Sequence, residues 1–107
     1  MSEERRRRIE ERVARIKEEL AEIGPMRPGS LTRQYKDPKT KGGPYWQLSY
    51  TRAMRSRSDY VPLDRVAEVR KEIGEYQRFK KLTSEWIDLG IEASKLRMKL
   101  DKKTGKK

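Results

Sequence analysis

The sequence predicts an α+β fold: an N-terminal helix, a small three-stranded antiparallel sheet and a long C-terminal helix. Three observations predict it. Apolar residues recur at helical spacing near the start and through the last third, with a β-prone segment punctuated by proline and glycine between them. Charge follows the same division: residues 2–24 carry seven basic and seven acidic side chains, whereas residues 25–61 carry eight and two. Finally, 33% of the 107 residues are hydrophobic and 42% charged, enough for a thin core of helices on a small sheet and too little for a deep substrate cavity. The expected segments are 1–24 (amphipathic helix), 25–62 (basic sheet region), 63–100 (long helix) and 101–107 (basic disordered tail).

In the first segment Ile9, Val13, Ile16, Leu20 and Ile23 are spaced four, three, four and three apart, which places them on one helical stripe of coiled-coil type. Ser2 is the candidate cap, and Gly24-Pro25 ends the helix. Such a stripe needs a partner, since a short helix is marginal alone in water. In a parallel homodimer Arg12 and Lys17 would repel while Arg5 and Glu10 would attract. An antiparallel pair within the chain, or a bundle extended by dimerisation, fits at least as well.

The middle segment supplies three strands. A short one is expected at Leu31 to Tyr35, followed by the turn-rich KDPKTKGGP; YWQLSY and SRSDYV then form a hairpin around the five residues TRAMR. Pro44 and Pro62 bracket this hairpin. Period-two alternation separates Trp46, Leu48 and Tyr50 from Tyr45, Gln47 and Ser49. The expected register adds Ser58 and Tyr60 to the first group. Trp46, Leu48, Tyr50 and Tyr60 then become the buried floor, and Gln47, Ser49, Arg57 and Asp59 face outward, with Arg52 and Arg55 at the loop. A one-residue shift would set Asp59 opposite Leu48 as an uncompensated charge under the helix.

The long helix is read from about Asp64 to Leu100, without proline, with Val66, Val69, Ile73 and Tyr76 on one stripe. A second stripe holds Phe79, Leu82, Trp86, Leu89, Ala93, Leu96 and Leu100. Two successive steps of three at 76, 79 and 82 shift the heptad phase, as expected if the first half covers the sheet and the second pairs with a helix. Gly90, one turn before Ser94, is either a point of close helix approach or, at least as readily, a plain tolerated glycine.

Function follows from charge and from what is missing. The formal net charge of +11 favours an anionic partner. Without cysteine or histidine, disulfides, zinc sites built from those ligands and histidine-based acid–base chemistry are excluded; no enzyme activity, metal or cofactor is expected. No apolar run reaches the length of a membrane span and the N-terminus lacks a signal-peptide core, so a cytoplasmic, nucleoid-associated location is expected, with no membrane partner. RRRR at 5–8 is flanked by Glu3, Glu4, Glu10 and Glu11, which favours a solvated helix face over the alternative of a phosphate-binding arm. The candidate nucleic-acid contacts are therefore Arg33, Lys36, Lys39, Lys41, Gln47, Ser49, Arg52, Arg55 and Arg57. Arginine can pair with guanine and glutamine with adenine when a two-stranded ribbon enters the major groove. Tyr45 and Tyr35 are the candidates for base stacking.

PGSLTRQY, GPYWQLSYT and SRSDYVP, followed by a helix containing EVRKEIGEYQRFKKL, resemble an uncharacterised family of short prokaryotic proteins, some found near mobile elements. The likeness covers residues 26 to 97 and implies no activity. Members usually carry a cysteine cluster between the positions matching Tyr35 and Gly43; here that stretch is KDPKTKG, so the metal knuckle the resemblance would imply is absent. In architecture alone, the expected fold also resembles arm-type integrase domains and a class of plant DNA-binding domains that lay a sheet in the major groove.

The reading is thus a small non-enzymatic nucleic-acid-binding protein, DNA favoured over RNA, serving as a regulator or mobile-element accessory factor and pairing as a homodimer or with a helical partner. The alternatives are a helical protein–protein adaptor, whose self-association would depend on Leu89 and Leu96, and an RNA or ribonucleoprotein component.

Overall fold

The computed structural model of the protein describes residues 2–103. The elements are α1 (Ser2–Ala21), β1 (Ser30–Asp37), β2 (Gly42–Arg52), β3 (Arg55–Val61), a 3₁₀ turn (Leu63–Arg65) and α2 (Val66–Lys103). The α+β architecture is as expected, with one three-stranded antiparallel sheet in the order β1-β2-β3. α2 continues three residues past the expected end at 100. The tail expected beyond it falls, for residues 104–107, outside the described residues. Two compact units divide the chain: Gly24–Arg78, and the residues up to Ile23 together with those from Phe79 onward.

In the helical unit the predicted stripes are the apolar faces. Ile9 and Ile16 of α1 and Leu82 and Ala93 of α2 are buried, and Val13, Leu20, Trp86 and Leu89 are half-buried. Two forked ion pairs join the helices. Nε and Nη2 of Arg5 donate to the Glu92 carboxylate at 2.6 and 2.8 Å, and the same atoms of Arg12 donate to Glu85 at 2.6 and 2.8 Å. The later arginine meets the earlier glutamate, so the two helices run antiparallel. Arg12, which would face Lys17 across a parallel homodimer, is thereby neutralised within the chain, while the Lys17 ammonium lies 5.4 Å from the centre of the Trp86 ring. The hydrogen bonds from Arg12 and Arg5 hold the Glu85 and Glu92 carboxyls below their ordinary pKa. A Cβ added at Gly90 meets nothing within 4 Å. Close helix approach is therefore not what this glycine provides.

In the sheet unit the hairpin register differs from the expected one by a single residue. β2 pairs with β3 through Trp46↔Val61, Gln47↔Tyr60, Leu48↔Asp59, Ser49↔Ser58 and Tyr50↔Arg57. β1 pairs with β2 through Leu31↔Leu48 and Arg33↔Trp46. Leu48 is fully buried and clusters with Val61 and Val66, and Leu31, Trp46, Val69 and Ile73 pack around them. The floor under the start of α2 is thus Leu31, Trp46, Leu48 and Val61, with Val61 in the place expected for Tyr60. Burying a side chain of this size contributes roughly 1.5–3 kcal/mol, so this thin core depends on a few residues.

The objection to this register was the charge of Asp59 opposite Leu48. Arg27, in the connection before β1, removes it: its Nη2 donates to Asp59 Oδ2 at 3.0 Å. The same guanidinium lies 5.0 Å from the centre of the Tyr50 ring, and the Arg27 main-chain N–H donates to the Glu72 carbonyl at 3.2 Å. One residue thus ties the connection to β3, β2 and α2. Gly29 admits the approach. Its φ is +142°, and a Cβ there would stand 2.6 Å from Leu48 Cδ1 and 3.2 Å from the Ser49 carbonyl oxygen.

Candidate nucleic-acid interface

The ladder runs on to Thr51↔Ser56 and Arg52↔Arg55, so the hairpin closes through the two residues Ala53 and Met54 instead of a five-residue loop. Both have positive φ, 53° and 63°, the signature of a type I′ turn, built here without the usual asparagine or glycine. Pairing with β1 reaches no further than Ser30↔Ser49. From Tyr50 to Arg57 the chain is therefore a two-stranded ribbon projecting past the third strand, tipped by Met54, which is 98% exposed.

Residues directly opposite one another share a face, and this redistributes the candidates. Arg52, Arg55 and Arg57 lie on the face of Leu48, near its distal end, together with Asp59. They do not join Gln47 and Ser49, as the expected register implied. All three arginines are exposed, and none makes an ion pair among the described residues. Arg33 is also on this face, exposed, with its guanidinium 5.9 Å from the centre of the half-buried Tyr35 ring. Tyr35 is thus occupied from within.

The opposite face of the sheet carries Thr32, Gln34 and Lys36 from β1, Tyr45, Gln47, Ser49 and Thr51 from β2, and Ser56, Ser58 and Tyr60 from β3. No carboxylate lies on it. Tyr60 is 68% exposed, and its ring centre is 6.5 Å from that of Tyr45. Lys39 and Lys41 occupy the connection between β1 and β2, at the far end of β2 from the arginines, where the Lys39 main-chain N–H donates to Asp37 Oδ1 at 3.2 Å. At about 3.3 Å per residue, β2 separates these two cationic ends by roughly 30 Å. The candidates therefore separate into arginines at the ribbon tip, amide and hydroxyl groups on the open face and lysines at the other end, with Arg33 apart from all three, opposite Trp46 in the middle of the sheet.

Among the described residues no group of three or more His, Cys, Asp or Glu side chains is placed to hold a metal ion. No described helix is long and apolar enough to cross a membrane.

A family model described as a domain of unknown function, DUF6788, matches residues 3–71, well over half of the chain. The chain belongs to this family. The DUF6788 match spans α1, the whole sheet and the start of α2, whereas the resemblance drawn from the quoted phrases covered residues 26 to 97. The match thus takes in the N-terminal helix and stops at residue 71, near the start of α2. No curated protein and no solved structure matches the chain.

Proposed function

We propose that this DUF6788 protein is a small non-enzymatic nucleic-acid-binding protein that grips DNA with the arginine-tipped β2–β3 ribbon. One observation carries the reading: Arg52 and Arg55 stand directly opposite each other, Arg57 follows on the same face, and no carboxylate pairs with any of them among the described residues. Like charges in direct cross-strand positions work against the sheet by roughly 0.2–1 kcal/mol, and an anion seated between them reverses the sign. A phosphate backbone is such an anion. DNA is favoured over RNA because a two-stranded ribbon enters the major groove of B-form DNA, whereas that of A-form RNA is deep and narrow. In this reading the protein acts in the prokaryotic nucleoid, as a regulator or an accessory factor of a mobile element.

The test is binding to short duplex DNA across a salt series, for the native chain and for Arg52→Ala/Arg55→Ala/Arg57→Ala. Losing three phosphate contacts lowers the slope of log K against log salt by about 2.7. Undetectable binding at low salt, or an unchanged slope in the triple variant, defeats the proposal.

A second reading, self-association through α2, rests on the exposed apolar residues Ile87, Ile91 and Met98, which recur at helical spacing. Leu89 and Leu96, expected to carry it, are half-buried. Sedimentation of Ile87→Ser/Ile91→Ser against the native chain tests it, with loss of any dimer as the expected result.

A further inference from the structure

We infer that the open face of the sheet holds a base-stacking site for unpaired nucleotides of DNA, formed by Tyr45 and Tyr60 with Lys36 and Gln47. The inference rests on the nucleic-acid reading above and adds to it a second site, at the opposite end of β2 from the arginine tip.

The aromatic surface comes first. A chain with one third of its residues hydrophobic has few large apolar side chains to spare, yet Tyr60 stands mostly in water beside Tyr45. Neither phenol makes a hydrogen bond among the described residues. The two rings, neighbours on adjacent strands, are inclined at 35°, with Tyr45 half-buried and Tyr60 exposed. Lys36, Gly43, Pro44, Tyr45 and Tyr60 line an open hollow of about 480 Å³, within the size range of small-ligand sites.

The position of the cation is built into the backbone. Lys36 lies opposite Gly43 in the ladder, and Gly43 has φ +62°. A Cβ on Gly43 would come within 3.1 Å of Lys36 Cβ and 3.3 Å of its Cγ and Cδ. The lysine stem crosses the space that any other residue would fill, and Lys36 lines the same hollow as the two tyrosines. The side chain of Gln47, directly opposite Tyr60, makes no hydrogen bond among the described residues, whereas that of Gln34 donates to Thr32 Oγ1 at 3.1 Å. The Gln47 amide is thus free to donate to and accept from the edge of a base lying on Tyr60.

Charge selects the occupant. The face has one cation beside its rings and no carboxylate, within a segment that carries eight basic residues and two acidic ones. Flat, apolar faces linked by phosphates meet all three requirements: rings to stack on, an edge to read and an anion for Lys36. A base inside a duplex cannot offer its face, so the site takes a single strand, which on the reading above is DNA.

The experiment measures anisotropy of fluorescein-labelled oligothymidine, of a duplex and of the RNA counterpart, against the native chain, Tyr45→Ala, Tyr60→Ala and Tyr60→Phe. Each alanine variant is expected to weaken single-strand binding by roughly tenfold and to leave duplex binding within about twofold, while Tyr60→Phe, which keeps the ring, retains affinity. Photo-crosslinking of an iodouracil-substituted strand, mapped by mass spectrometry, is expected at Tyr45 or Tyr60. Single-strand binding indifferent to both alanine variants, cross-links confined to other residues, or tighter binding of the RNA strand overturns the inference. If duplex binding depends on Arg52, Arg55 and Arg57 while the tyrosines are silent, only this inference falls. If neither duplex nor single strand binds at low salt, the nucleic-acid reading falls with it.

Discussion

Replacing Arg27 with alanine tests the feature on which the hairpin register depends. Two contributions are lost. The ion pair with Asp59 at 3.0 Å is partly open to water, the side chains being 32% and 47% exposed, which limits it to about 0.5–1 kcal/mol. The guanidinium stacked over Tyr50 adds about 0.5–1 kcal/mol. The main-chain bond to Glu72 survives, so the expected loss is about 1–2 kcal/mol. The chain has two tryptophans, and Trp86→Phe leaves Trp46, in the sheet unit, as the sole reporter for urea unfolding. A double-mutant cycle of Arg27→Ala with Asp59→Asn then isolates the ion pair, and about 0.5–1 kcal/mol of coupling, diminishing in high salt, is expected. Register is checked independently. The chain has no cysteine, so the thiol introduced by Tyr60→Cys is unique, and on the open face it is expected to react with a maleimide at nearly the rate of a free thiol. A protected thiol, or a cycle with no coupling, would refute the reasoning.

Gly29→Ala is expected to destabilise the sheet unit by about 2–4 kcal/mol, because an unfavourable backbone conformation adds to a clash with the fully buried Leu48; Gly24→Ala, with open space around it, is the near-neutral control in the same urea titration. Ala53→Asn/Met54→Gly supplies the residues that a type I′ turn favours and is expected to raise stability by about 1–2 kcal/mol, read from the shift in urea midpoint. The helical unit is expected to weaken in acid. The folded pKa values of Glu85 and Glu92 lie below the ordinary carboxylate value of 4.5, so the stabilisation is present above that value and is lost as pH falls through the lowered values. Thermal melts followed by circular dichroism should show a smaller acid-induced drop in Glu85→Gln/Glu92→Gln than in the native chain. Gly74→Ala places a methyl in open space on α2 and is expected to stabilise by up to about 1 kcal/mol in thermal melts.

The two helices, the three strands and their order were legible because apolar spacing and proline placement report directly on local structure. So was the division of α2 at its phase shift: Val66, Val69 and Ile73 meet the sheet, and Leu82, Trp86, Leu89 and Ala93 belong to the helical unit. The register was not legible. Alternation says which residues of one strand share a face, but it cannot match one strand to the next by itself. The deciding objection, an unpaired Asp59, failed because its partner is 32 residues away in a connection with no periodicity. Nor could the turn be read, since Ala53 and Met54 adopt positive φ that their residue types disfavour. Moving the register by one residue carried Tyr60 out of the expected floor and Arg57 off the open face, so the candidate site separated into parts that looked continuous in the chain.

The sheet has two outer strands, and β3 is one of them, with no strand bonded along its far side. An unpaired edge is a template on which another copy can build, and charged side chains are a common means of blocking it. Arg55, Arg57 and Asp59 line β3, and two of these are proposed DNA contacts. The residues proposed to attract nucleic acid thus also guard the edge against neighbouring molecules that would extend the sheet. Under the proposed function, a variant stripped of them is expected to precipitate as well as to lose binding, which would make solubility and ligand affinity a single inherited trait.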